Sequence, residues 1–261
     1  MASPSFIYPN LMLNPVSLVD PFPSQWRITA KVNEYAYEME ENELEYGFRV
    51  PCFRAKFHCE EVGNPGHQAY MVLYMQIPFT GTEYTSPDMR TQQASSDLPD
   101  VALEEFKCYQ TLKDIHCEHT PTLIGSSKEA QGPDGWVPGG YLFYFAFTKV
   151  PGVRLKSGVI GKGLFYTLPL PQRDQIREAF KVAYTSFSRT GVRPQWVAQD
   201  SLFWDDTTGK VLVHDPLRII FAFVSYSYVQ LTTSPGEWEP RLWKHWFLDE
   251  GRITGGKTMN Q

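Results

Sequence analysis

The sequence predicts an α+β fold in two lobes. β-rich and helical runs come in blocks (strands, helix, strands, then helix, loop and strands) rather than in strict alternation. The chain has 261 residues, 42% of them hydrophobic, enough for one large domain or two lobes with a real core. Its longest apolar strand stops at Pro151-Gly152, which marks the expected lobe boundary. The expected division is an extended N-terminal arm over residues 1–23, an N-lobe with a preceding helix over 24–150, and a shortened C-lobe over 151–261.

Each element has its own signal. The first 23 residues carry five prolines and no period, which predicts an arm or lid. Ser24 caps an expected helix over "SQWRITAKVNEYAYEMEENEL", whose acidic far half reads as a solvated face. "GFRVPCFRAKFHC" and "HQAYMVLYMQIPF" are β-rich runs around a turn at Gly63 to Gly66. "GTEYTSPDMRTQQASSDLPD" has turn composition and is expected to be a mobile connection. "PDVALEEFKCYQTLKD" is a helix, with Asp100 near its N-cap and Ala102, Phe106, Tyr109 and Leu112 or Lys113 at three-four spacing. "TPTLIGS" is a short strand and "GYLFYFAFTKVPGVRL" a long buried one. Pro171 opens a second helix that buries Ile176, Phe180, Ala183 and Phe187 and stops at Gly191. After it come a loop, the strand "KVLVHD", the β-like run "RIIFAFVSYSYVQL" and a Trp-rich closing helix near "GEWEPRLWKHWFLDEG".

Composition excludes several function classes. A net charge of −5 with no basic block argues against nucleic acid or an anionic membrane as partner. No apolar run approaches the roughly 20 residues of a membrane span. The N-terminus lacks the basic region of a signal peptide and no Asn-x-Ser/Thr sequon occurs, so the expected location is cytoplasmic. Four scattered cysteines do not make a disulfide scaffold, and "HCEH", His116 to His119, matches no zinc spacing and reads as a loop after a helix. Seven Trp, fourteen Tyr and seventeen Phe exceed what a minimal core needs, which leaves an aromatic core and an aromatic ligand pocket both open. No cofactor is expected.

From Gln68 to about Ile220 the chain resembles the fungal protein-kinase-like, or aminoglycoside-phosphotransferase-like, family. The matching pieces are "AYMVLYMQIP", "EEFKCYQTL" with "TPTLIGS", "VPGGYLFYFAFTKVPGVRL", "LPLPQRDQIREAF" and "FWDDTTGKVLVHD". The third is the most specific, a strand ending in Val-Pro-Gly-x-Arg-Leu. The resemblance implies a bilobal protein-kinase-like fold and a phosphotransferase site, each part of which has a physical task. The strand lysine that neutralises the phosphates falls at Val72. The helix glutamate that holds that lysine falls at Glu105, which is thereby expected to lack its partner. The loop aspartate that takes the substrate proton falls at Trp196, with Asp200 nearby as a substitute carboxylate. The metal-holding asparagine falls at Ser201. The strand-end magnesium ligand survives as Asp215, so metal is expected at Asp215 or nowhere. Plainer readings stand beside these: Glu105 as a helix-surface carboxylate, Asp215 before Pro216 as a turn residue, and Trp196 as a core ring.

Val and Trp in place of charged groups make the desolvation of a triphosphate costly. The expected protein is therefore a degenerate, pseudokinase-type member whose inter-lobe cleft binds a small apolar molecule. Its ligand residues would be Val72, Glu105, Phe147, Trp196, Ser201 and Asp215. Whether it is catalytic the sequence leaves open. If so, a cyclisation, pericyclic or isomerisation step of fungal secondary metabolism is expected, driven by preorganisation, with Asp215, Asp200 or Ser201 as candidate catalytic residues. Alignment of reactants alone can contribute about 7–11 kcal/mol. The alternatives are a scaffold whose Trp238, Trp243, Trp246 and Phe247 dock a protein partner, and residual ATP-dependent phosphotransfer.

Overall fold

A computed structural model describes residues 6, 14–46, 50–155, 163–190, 192, 201–214, 237–246 and 248–249. The chain is a mixed α+β protein, sheet-rich in its N-terminal region with its longest helix later. It divides into two compact units, Met1–Lys107 with Leu123–Lys149, and Cys108–Thr122 with Val150–Gln261.

The first unit is built on six antiparallel strands: β1 (Val16–Leu18), β2 (Ser24–Tyr37), β3 (Cys52–Glu61), β4 (Asn64–Gln76), β5 (Leu123–Ala130) and β6 (Tyr141–Thr148). They are ordered β1-β2-β3-β4-β6-β5. Strand side chains alternate between faces. Phe53, Ala55, Phe57 and Cys59 of β3 therefore join Ala69, Met71, Leu73 and Met75 of β4, and Tyr144 and Ala146 of β6, in one buried cluster with Trp26 and Ile28. The intervening residues form the other face, described below.

The segment 24–37, expected to be helical, is strand β2. Its apolar residues Trp26, Ile28, Ala30 and Val32 recur every second position, the strand period, and Trp26 and Ile28 enter the core. Ser24 does not cap a helix; its Oγ accepts the Trp26 indole N–H at 3.0 Å. The acidic stretch that follows holds only a short 3-10 turn, Glu41–Tyr46.

The sheet curls until its two edge strands meet. The Val19 and Asp20 amides donate to the Ser126 carbonyl at 3.0 and 3.1 Å, and the Ser126 amide returns a bond to Asp20 at 2.8 Å. Gly125 permits this seam, because a Cβ there would lie 2.7 Å from the Asp20 carbonyl oxygen. Gly125→Ala is expected to cost about 1–3 kcal/mol by overpacking. Gly132→Ala, with nothing within 4 Å of its Cβ, should be nearly neutral in the same urea titration. Equal midpoints for the two variants would contradict the seam.

The connection after β4 is more structured than a mobile linker. It contains α1 (Pro87–Thr91), capped by Ser86. Gln93 ties it down, donating to Thr82 Oγ1 at 2.9 Å and accepting the Phe79 amide at 3.0 Å. Helix α2 (Asp100–Asp114) follows as expected, with Ala102, Tyr109 and Leu112 buried; Glu105 is buried on the same stripe.

The second unit carries a three-stranded sheet of β7 (Val153–Arg154), β8 (Leu202–Asp205) and β9 (Lys210–Val213). Helix α3 (Leu164–Thr167) precedes the long α4 (Leu170–Ser188), which buries Ile176, Phe180, Ala183 and Phe187 as the spacing predicts. Asp205 holds the β8–β9 turn, accepting from the Thr207 amide at 3.1 Å and the Thr208 hydroxyl at 2.7 Å. The closing helix α5 is short, Arg241–His245. Among the described residues no helix is long and apolar enough to cross a membrane.

Candidate functional site

The face of the first unit's sheet opposite its apolar core cluster concentrates charge and aromatic rings, and most of its side chains are buried. Because β3 and β4 pair Lys56 with Val72 and Arg54 with Tyr74, these four side chains share that face with Phe143, Phe145 and Phe147 of β6. Helix α2 brings Glu105 and Phe106 against it. The Phe106 ring lies 5.2 Å from Phe143 and 5.7 Å from Phe145.

Glu105 is fully buried and bound on both oxygens. Arg54 donates from Nη2 to Oε1 at 2.7 Å and from Nε to Oε2 at 2.9 Å, a bidentate charge-assisted pair. The Tyr74 hydroxyl donates to Oε2 at 2.5 Å and accepts from Arg54 Nε at 3.2 Å. Burial, reinforced by the Glu105 charge, holds the Tyr74 phenol well above its ordinary pKa, so it stays a donor. Burial also pushes the neighbouring Tyr37 phenol and Cys52 thiol up to about 12. The cluster's phenols and thiol keep their protons at neutral pH. Its chemical consequence is mechanical: it clamps the first half of α2 to β3 and β4.

This overturns the expectation that Glu105 has no cation and sits at a helix surface. The cation comes from β3, one strand away from the Val72 position, and is an arginine rather than a lysine. A second cation, Lys56, lies directly across from Val72 and is only 2% exposed. Its Nζ stands 4.6 Å from the Tyr70 ring centroid and 5.2 Å from that of Phe147. Val72 itself is apolar and buried, as is Phe147.

No family model matches the chain, and none of the curated proteins matches it. Among solved structures, the PK-1 kinase of Cydia pomonella granulovirus is similar at 11% identity and a TM-score of 0.37, over 72% of this chain and 49% of that one. The chain thus spans about half of that kinase, and at this TM-score the likeness decides neither fold nor function.

Of the residues singled out from sequence, Val72, Glu105 and Phe147 come together on the one face. Ser201 belongs to the second unit, where it precedes β8 and its carbonyl accepts the His214 amide at 2.7 Å. Trp196, Asp200, Asp215 and Phe247 lie outside the described residues. Trp246 is 1% exposed, its ring packed 4.9 Å from Phe180, so it is core rather than a docking ring. The described residues hold no group of three or more potential metal ligands, and the described cysteines are free thiols.

Arg54, Lys56, His58, Tyr70 and Tyr74 were not anticipated. Their signal is present in "CFRAKFHC", where Arg54, Lys56 and His58 alternate with Phe53, Ala55, Phe57 and Cys59. That pattern describes a strand with one apolar and one cationic face.

Proposed function

We propose that this is a kinase-like protein that binds a small apolar molecule and does not transfer phosphoryl groups. The ligand packs against this ring-rich face of the first unit. The half-buried Tyr70 and Phe106 meet it there, over a floor of Val72, Phe145 and Phe147. One observation carries the reading. An apolar, buried Val72 stands where the phosphate-neutralising lysine is expected, and the cation beside Glu105 is instead an arginine locked on a neighbouring strand to Glu105 and the Tyr74 hydroxyl. The family resemblance supports the same conclusion.

In its enzymatic form the protein holds a flexible substrate in one reactive conformer for cyclisation or isomerisation. The test compares small-molecule extracts of the host with and without the gene, by mass and chromatography. An isomer found only with the gene establishes the enzyme. Unchanged profiles, with thermal stabilisation by apolar extract fractions, leave a binding protein. Unchanged profiles and a co-purifying partner, with no ligand effect, point to a scaffold instead.

Lys56 favours a second reading, ATP-dependent phosphotransfer, because it places an ammonium opposite Val72 on the face that carries Glu105. On that reading magnesium-ATP raises the melting temperature and Lys56→Met abolishes the rise. No shift with magnesium-ATP removes it.

A further inference from the structure

An open recess of about 580 Å³ runs between one flank of α4 and His119, within the second unit. The helical period dictates its floor. Lys181, Thr185 and Arg189 recur every fourth residue in one row, and Glu178, Val182 and Ser186 in the row beside it. One row is therefore basic at both ends, while the other passes from acidic through apolar to hydroxyl. Val182 is 60% exposed, an apolar patch that the fold itself leaves uncovered.

His119, the opposite wall, is held at two points by β9. Its carbonyl accepts the Val213 amide at 2.7 Å, and its Nδ1 lies 3.2 Å from the Val211 carbonyl oxygen. A carbonyl oxygen only accepts, so Nδ1 carries a proton and Nε2 is the ring atom left for a ligand. Cys117 Sγ, 3.8 Å from Ser186 Oγ, sets this wall against the C-terminal half of the recess.

The two cations of the floor are uncommitted. Among the described residues the side chains of Lys181 and Arg189 make no hydrogen bond or ion pair. Their charged neighbours are paired: Lys210 with Glu118 at 2.5 Å, and Arg177 with Asp174 at 2.6 Å. Lys181 and Arg189 each stand one turn, about 6 Å along the axis, from Thr185, so both long side chains can close on one group between them. The Thr185 hydroxyl is spent on the Lys181 carbonyl at 2.7 Å, which leaves Ser186 as the hydroxyl of the site. Two features oppose an anion here. Glu178 lies at the far end, about 12 Å along the axis from Ser186. The negative end of the α4 dipole is near, although the Thr190 amide and hydroxyl already bond the Phe187 carbonyl at 3.1 and 2.7 Å.

We propose that this recess binds a small phosphate monoester, its phosphate between Lys181, Arg189, Ser186 and His119 and its organic part over Val182. A phosphate dianion matches the two cations charge for charge, and its three oxygens accept from donors on different sides. Nε2 of His119 shares a proton with it, whichever partner supplies that proton. Glu178 fixes the direction, since it repels a phosphate placed at the other end. The site stands in the second unit and is independent of the ligand proposed for the first.

The test titrates the full chain with phenyl phosphate and with phenyl sulfate, its singly charged isostere, by calorimetry and by NMR of the His119 ring. Phenyl phosphate should bind about tenfold more tightly than the sulfate, lose most of that margin as salt is raised, and perturb the His119 signals. Lys181→Gln and Arg189→Gln should each weaken it several-fold at an unchanged melting temperature, because neither side chain holds the fold. Glu178→Gln should tighten it about two- to threefold by removing a repulsive charge.

No binding at millimolar phenyl phosphate, or binding unchanged in the Lys181→Gln/Arg189→Gln double variant, would overturn the site. Equal affinity for the two probes would overturn the dianion, and inorganic phosphate binding as tightly as phenyl phosphate would overturn the ester. A phosphotyrosine peptide that binds more than about tenfold tighter than phenyl phosphate would replace the small molecule by a protein segment. None of these results bears on the first unit, whose ligand is tested by the extract comparison.

Discussion

Replacing Glu105 by alanine should lower the stability of the first unit by about 3–5 kcal/mol, because it strands a buried guanidinium. Arg54 and Glu105 have side chains only 7% and 0% exposed, so water cannot take over the lost bonds. The Tyr74 hydroxyl loses its acceptor at the same stroke. The cost is the penalty of an unpaired charge rather than the net worth of the pair, and that distinction is measurable. The double variant Arg54→Met/Glu105→Leu, which removes both charges and keeps the volume, should be far less destabilised than Glu105→Ala. Glu105→Gln, which keeps the shape without the charge, should fall between them. Amide exchange of β3 and β4 under native conditions resolves these effects unit by unit. A loss below about 1 kcal/mol in Glu105→Ala would mean that the pair is solvated and that α2 is not clamped to the sheet.

Phe180→Ala should cost the second unit a similar amount, about 3–5 kcal/mol, by opening a cavity its neighbours cannot fill. Phe180 projects from α4 into a group of rings, with Trp246 at 4.9 Å, Trp238 at 5.9 Å and Tyr184 at 6.0 Å between centroids. Trp238 and Trp243 pack against one another with their ring planes tilted by 57° and centroids 4.4 Å apart. Large rigid rings do not collapse into a void as aliphatic chains do, so the upper half of the range applies. Phe180→Leu should retain most of the stability. Tryptophan fluorescence during urea unfolding is the readout, since Trp238, Trp243 and Trp246 surround the substituted site. If Phe180→Ala and Phe180→Leu unfold at the same midpoint, the rings do not form a packed core. Chain-terminal aromatics held this way serve the fold, which weakens the case for a protein-docking face there.

Much of the chain was legible from local pattern. The three-four spacing of "VALEEFKCYQTL" and of Ile176, Phe180, Ala183 and Phe187 identifies the two long helices, because an amphipathic stripe is a property of one segment alone. The β3–β4 hairpin was equally readable from two β-rich runs around Gly63. The reading failed where one local cue outweighed another. At residues 24–37 a capping serine and an acidic tail masked the two-residue period of Trp26, Ile28, Ala30 and Val32. The candidate site was half legible: Val72, Glu105 and Phe147 do share a face, but the cations facing them were missed.

By itself the sequence determined which segments are helix and which are strand in most of the chain, and which residues of each strand share a side. It could not say which strand lies beside which, because pairing is made between residues distant in the chain and no local period records it. Only the tertiary structure decided that Arg54 on β3, and nothing at position 72, neutralises Glu105. It alone placed Lys56, His58 and Lys149 around one tyrosine and closed the sheet at Gly125. Each of these depends on register and curvature, the two properties of a sheet that arise only when its strands are assembled.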